Sequence, residues 1–72
     1  MKYYKNNDTD IYYKVYDNNS WQWFDMPKGN SNIIIQWSNG GINFFSRSQD
    51  NDWNVEEISE IQLKAIIFTK AL

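Results

Sequence analysis

The chain has 72 residues, a net charge of −2, and neither cysteine nor histidine. That composition excludes a disulfide framework and a thiolate metal site, and it removes the commonest metal ligand and the commonest general base. The negative balance and lone arginine, Arg47, weigh against general nucleic-acid binding, which rests on neutralising phosphates.

A single small domain spanning 1–72 is expected, with a marginal core at this size. Four Trp, five Tyr and four Phe supply the apolar bulk that stands in for covalent staples. Met1 to Asp10 is polar and charged, so no signal peptide is expected, and the longest apolar run, Ala65 to Phe68, is far too short for a membrane span. A soluble, cytoplasmic protein is the expectation.

In chain order, Lys2 to Lys5 reads as a short first strand and Asn6 to Asp10 as a polar turn. Ile11 to Tyr16 is a second strand, rich in β-branched and aromatic residues. Asp17 to Ser20 turns the chain into a third strand, Trp21 to Phe24. Met26 to Asn32 is the longest loop, because Pro27 and Gly29 stop a strand. Ile33 to Trp37 is expected as a fourth strand and Ile42 to Ser46 as a fifth. The Asn39-Gly40 pair between them suits a tight hairpin. Arg47 to Asp52 is a polar linker.

The last segment, Asn54 to Leu72, reads as a helix. Asn54 and Glu57 have capping-box spacing, Trp53 and Ile58 the spacing of a hydrophobic staple. Acidic Glu56, Glu57 and Glu60 precede basic Lys64 and Lys70, the order that the helix dipole favours. Ile58, Ile61, Ala65, Phe68 and Leu72 recur at steps of three and four and form one stripe. The expected fold is therefore α+β: an antiparallel meander of four to five strands with one C-terminal α-helix packed on one face.

Alternation sorts the strand side chains. Ile11, Tyr13, Val15, Trp21 and Trp23, with Ile33, Ile35, Trp37, Ile42 and Phe44, are expected on the face beneath the helix. Tyr12, Lys14, Tyr16, Gln22, Phe24, Ile34, Gln36, Asn43 and Phe45 fall on the other. That second face mixes aromatic and polar groups, the composition of an interaction surface. Tyr12, Tyr16, Phe24, Ile34 and Phe45 are its candidate partner-binding residues; the bland alternative is an ordinary sheet face. Leu63 and Ile67 project off the helix stripe and Ile66 lies between the two faces; together they suggest a homodimer interface, or else a helix end tucked between the sheet and the first strand.

Asp50, Asp52, Glu56, Glu57 and Glu60 form the only charge cluster. It begins like a calcium loop but has Val55 where glycine is needed and Ile61 where a bidentate glutamate is needed, so no metal is expected. Helix-start preference and a solvated face are the first reading of the cluster; Asp50, Asp52, Glu56 and Glu57 are, second, candidates for meeting a basic partner surface. Trp21 and Trp23 share one side of a strand and can stack on bases or glycans, although a small core needs their rings. No nucleophile has a histidine beside it, and Asn39-Gly40-Gly41 lacks the lysine and helix of a phosphate loop. No enzyme activity and no cofactor are expected.

The opening Lys2-Tyr3-Tyr4-Lys5, the high asparagine content and the single compact α+β unit resemble small accessory proteins of phages and prophages, including anti-CRISPR inhibitors of host defence. The resemblance implies a stoichiometric protein ligand.

Overall fold

The computed structural model describes residues 1–28 and 34–71. It contains β1 (Lys2–Asn6), β2 (Ile11–Val15), β3 (Trp21–Asp25), β4 (Ser38–Gly41), α1 (Phe44–Asp50), β5 (Val55–Ile58) and α2 (Glu60–Ala71). The fold is α+β, a five-stranded antiparallel sheet of order β4-β3-β2-β1-β5 with a C-terminal helix. The first four strands form a meander; β5 returns to pair with β1.

The first three strands form where alternation puts them. Tyr4 pairs with Tyr13, and Tyr13 with Trp23, so aromatic residues ladder across three strands. The expected fourth strand is corrected. Ile33 lies outside the described residues, as does the 29–32 part of the preceding loop, and 34–37 is irregular. The strand is instead Ser38–Gly41, the segment expected to turn. It pairs back onto β3 with a register shift at Trp21/Gln22. Gly40 is needed there for close approach, because a Cβ would overlap Cε3, Cδ2 and Cζ3 of Trp21.

The expected fifth strand, Ile42 to Ser46, is also corrected. Asn43 adopts a left-handed conformation (φ 63°) and Phe44 to Asp50 is a helix, so the expected linker is part of α1. Phe44 and Ser48, four apart, supply its buried side. Phe44 is 0% exposed at the centre of the core.

The helix start moves as well. Val55–Ile58 is a strand, with Glu56 opposite Lys5 and Glu57 opposite Tyr4. The working capping box is Ser59 with Gln62. The Gln62 amide N–H donates to Ser59 Oγ at 3.0 Å, and the Ser59 N–H donates to Gln62 Oε1 at 2.7 Å. Asn54 instead accepts, through its carbonyl, from the backbone N–H of Asn7 at 2.7 Å, extending the β1–β5 ladder.

Two apolar clusters lie on opposite faces of the sheet. Tyr4, Tyr13, Val15, Trp21 and Phe44 form one, with Ile11, Trp23, Trp53 and Val55 against it. Tyr12, Phe24, Met26, Ile58 and Leu63 form the other, with Tyr3, Ile35, Trp37, Ile66 and Ile67 packed on it. The residues of β2 and β3 divide as alternation predicts, but Ile35 and Trp37, expected beside Tyr13, pack on the Tyr12 cluster, Ile42 is exposed, and the covers are exchanged. α1 and Trp53 cover the Tyr13 face; α2 and the 35–37 segment cover the Tyr12 face. α2 presents Leu63, Ile66 and Ile67 to the sheet, whereas Ile61 and Phe68 of the expected inner stripe are 79% and 68% exposed. Leu72, the end of that stripe, lies outside the described residues.

Candidate functional site

With both faces carrying packed segments, the expected open aromatic sheet face does not exist as one surface. Tyr12 and Phe24 stack at 5.4 Å inside the second cluster, 8% and 3% exposed, and are core residues. Leu63, expected outside at an oligomer interface, is buried, and Ile66 and Ile67 are partly buried against the same cluster. The remaining expected residues separate. Ile34 projects from the irregular segment at 72% exposure. Tyr16 donates its hydroxyl to Gln22 Oε1 at 2.6 Å and borders two shallow depressions, with Phe45 lining one and Ile42 the other. Asp50 and Asp52 are exposed at and after the end of α1, while Glu56 and Glu57 are exposed on β5. Lys5–Glu56 at 4.0 Å and Lys2–Glu57 at 3.9 Å are exposed pairs that add little stability.

One concave site joins Ile11, Tyr13, Trp21 and Trp23, expected in the core, to Trp53, expected at the helix start, and Arg47, expected in a polar linker. Ile11, Tyr13, Trp21, Trp23, Arg47 and Trp53 line a hollow of about 220 Å³ beside α1. β2 contributes Ile11 and Tyr13, two apart and hence on one face; β3 contributes Trp21 and Trp23 for the same reason. Trp53, on the connection from α1 to β5, stacks on Tyr13 at 5.3 Å and meets Trp21 edge-on at 5.7 Å. Arg47 comes from α1, whose Phe44 holds the helix against Tyr13 at 5.2 Å.

The hollow has a buried floor and an open rim. Tyr13 and Trp21 are 2% and 6% exposed, while Ile11, Trp23 and Trp53 are half-buried and Arg47 is exposed. Arg47 carries the only formal charge among the lining residues, and it makes no ion pair among the described residues. Burial raises the Tyr13 phenol above its ordinary value, against a smaller lowering by the Asn6 amide that donates to it at 3.2 Å. Tyr13 is therefore neutral here at physiological pH.

The indole Nε1 of Trp21 is buried and has no hydrogen-bond partner among the described residues. An unsatisfied buried donor of this kind costs stability. The sequence signal for the site was the shared side of Trp21 and Trp23. What it lacked was the approach of Trp53 and Arg47, which depends on α1.

Among the described residues no group of three or more acidic, histidine or cysteine side chains is placed to hold a metal, and no helix is long and apolar enough to cross a membrane. Compared with protein-family models, curated proteins and solved structures, the chain matches none.

Proposed function

We propose that the chain is a non-enzymatic protein-binding module, acting in the cytoplasm and using the tryptophan hollow as its anchor point. The observation that supports this reading is the lining itself. Three Trp, one Tyr and one Arg surround a single concavity, and these residue types dominate binding energy at protein interfaces when they sit in pockets. Tyr16, Ile42 and Phe45 at the β2–β3 end, and the acidic side chains around β5, are candidate flanking contacts. The resemblance to phage-encoded accessory proteins gives the finer reading: an inhibitor of a host defence complex.

The test is affinity capture from bacterial lysate with wild-type bait and a Trp23→Ser/Arg47→Gln bait, both verified as folded by circular dichroism. A partner retained by the first and lost by the second is expected. Equal retention by both removes the hollow from the interface. A captured subunit of a defence complex supports the inhibitor reading; a housekeeping protein rejects it.

The second reading is a homo-oligomer built through α2. It is favoured by Ile61 and Phe68, which with Ala65 form an exposed apolar line on the helix. Light scattering at high micromolar concentration tests it, and a monomer mass eliminates it.

A further inference from the structure

We infer that the hollow is a receptor for one large apolar side chain of a partner peptide whose neighbouring residue is acidic, the carboxylate pairing with Arg47. This rests on the protein-binding reading and names the chemistry that the site would recognise.

Size comes first. Pockets for drug-sized ligands and cofactors span about 300–1,000 Å³, so the hollow at about 220 Å³ is below that range. It suits a single side chain. Lining chemistry comes next. Ile11, Trp23 and Trp53 leave apolar area open at the rim, and the Tyr13–Trp53 stack forms a stiff wall. An aliphatic or aromatic side chain entering there loses its water and gains ring contacts. A polar side chain would have to shed its hydration against a wall whose only indole donor on the floor, Trp21 Nε1, is sealed from solvent.

Charge then selects the flank. The chain as a whole is negative, yet among the described residues the lining carries one positive group, Arg47, and no negative one, the acidic Asp10 and Asp25 lying in the depression beyond Ile11. A guanidinium pairs a planar carboxylate through two parallel N–H donors, which a lysine or an amide cannot reproduce. A basic flanking residue on the peptide would meet Arg47 with like charge. The site therefore distinguishes an apolar–acidic pair from an apolar–neutral or apolar–basic pair.

The experiment titrates ¹⁵N-labelled protein with four blocked tetrapeptides that differ only at their two central positions: leucine–aspartate, leucine–asparagine, leucine–lysine and serine–aspartate. The readout is the set of tryptophan indole resonances. Leucine–aspartate is expected to shift the Trp23 and Trp53 signals. Leucine–asparagine should bind about two- to fivefold more weakly, the factor of a lost ion pair to an exposed guanidinium. Arg47→Gln should bring leucine–aspartate down to the level of leucine–asparagine while leaving the melting temperature unchanged, since Arg47 is exposed. Equal binding of the aspartate and asparagine peptides, or no shift with any peptide at millimolar concentration, overturns the inference. If the peptides fail while the Trp23→Ser/Arg47→Gln bait still loses its captured partner, the protein-binding reading survives and only the side-chain chemistry falls.

Discussion

The ring of Tyr13 lies 5.3 Å from that of Trp53, with the planes only 20° apart. This stack joins the central strand β2 to the connection between α1 and β5, and so fixes one wall of the hollow. Trp53→Ala should therefore both destabilise the protein and widen the site. Fully buried Trp→Ala changes cost about 3–5 kcal/mol; Trp53 is half-buried, so a loss of about 2–3 kcal/mol is expected in urea denaturation. A change within about 0.5 kcal/mol would mean that the ring does not pack as described.

Gly40 and Trp21 are coupled by contact. A methyl group at Gly40 has to displace a buried indole, and overpacking of this kind costs about 1–3 kcal/mol. Gly40→Ala should lower the urea midpoint accordingly. The double variant Gly40→Ala/Trp21→Leu should lose less than the sum of the two single changes, because the smaller side chain removes the clash. Strict additivity would contradict the close approach.

The two candidate caps make opposite forecasts. Ser59→Ala removes an observed bond to the Gln62 N–H and should cost about 1 kcal/mol. Asn54→Ala removes no cap: its backbone carbonyl, which the substitution keeps, makes the ladder bond to Asn7, and its side chain accepts only an exposed 3.3 Å bond from the Asn7 side-chain amide. Thermal denaturation of the two variants ranks them, and a larger loss at Asn54 would restore the longer helix.

Orientation of α2 is tested in the same way. Leu63→Ala opens the second cluster and should cost about 2–5 kcal/mol, whereas Phe68→Ser at an exposed position should stay within about 0.5 kcal/mol. The reverse ranking would mean that the helix packs on its other side.

Alkali should destabilise the fold. Burial raises the phenols of Tyr3, Tyr4, Tyr12 and Tyr13 above 10.0. Below about pH 10 both folded and unfolded chains keep these protons, and the stability is whole. As pH rises further the unfolded chain releases them first, so stability falls through the window between the unfolded and folded values. Urea midpoints compared at about pH 8 and about pH 11 should show the drop, and Tyr12→Phe should lessen it. An unchanged midpoint would contradict the burial of these rings.

The first three strands were legible because Ile11, Tyr13, Val15, Trp21 and Trp23 alternate cleanly between turns, a local signal. The C-terminal helix was legible too, but its facing was not. Leu63, Ile66 and Ile67 are as apolar as Ile61, Ala65 and Phe68, so periodicity alone cannot say which side meets the sheet. Two capping-box spacings, Asn54 with Glu57 and Ser59 with Gln62, competed in one segment. The choice fell to β1, whose open edge takes Val55–Ile58 as a strand. In Ile42 to Asp50 the short apolar start fits a strand, and the helix emerges only because Phe44 enters the core. The hollow was hidden for the same reason: Trp53 and Arg47 reach Trp23 only through α1.

The four tryptophans make the decisive readout, since three line the hollow and Trp37 packs on the opposite face near Lys14. In a ¹⁵N spectrum of the protein saturated with its captured partner, the indole signals of Trp23 and Trp53 are predicted to move and that of Trp37 to stay. Movement of Trp37 with Trp23 and Trp53 unchanged would contradict binding at the hollow.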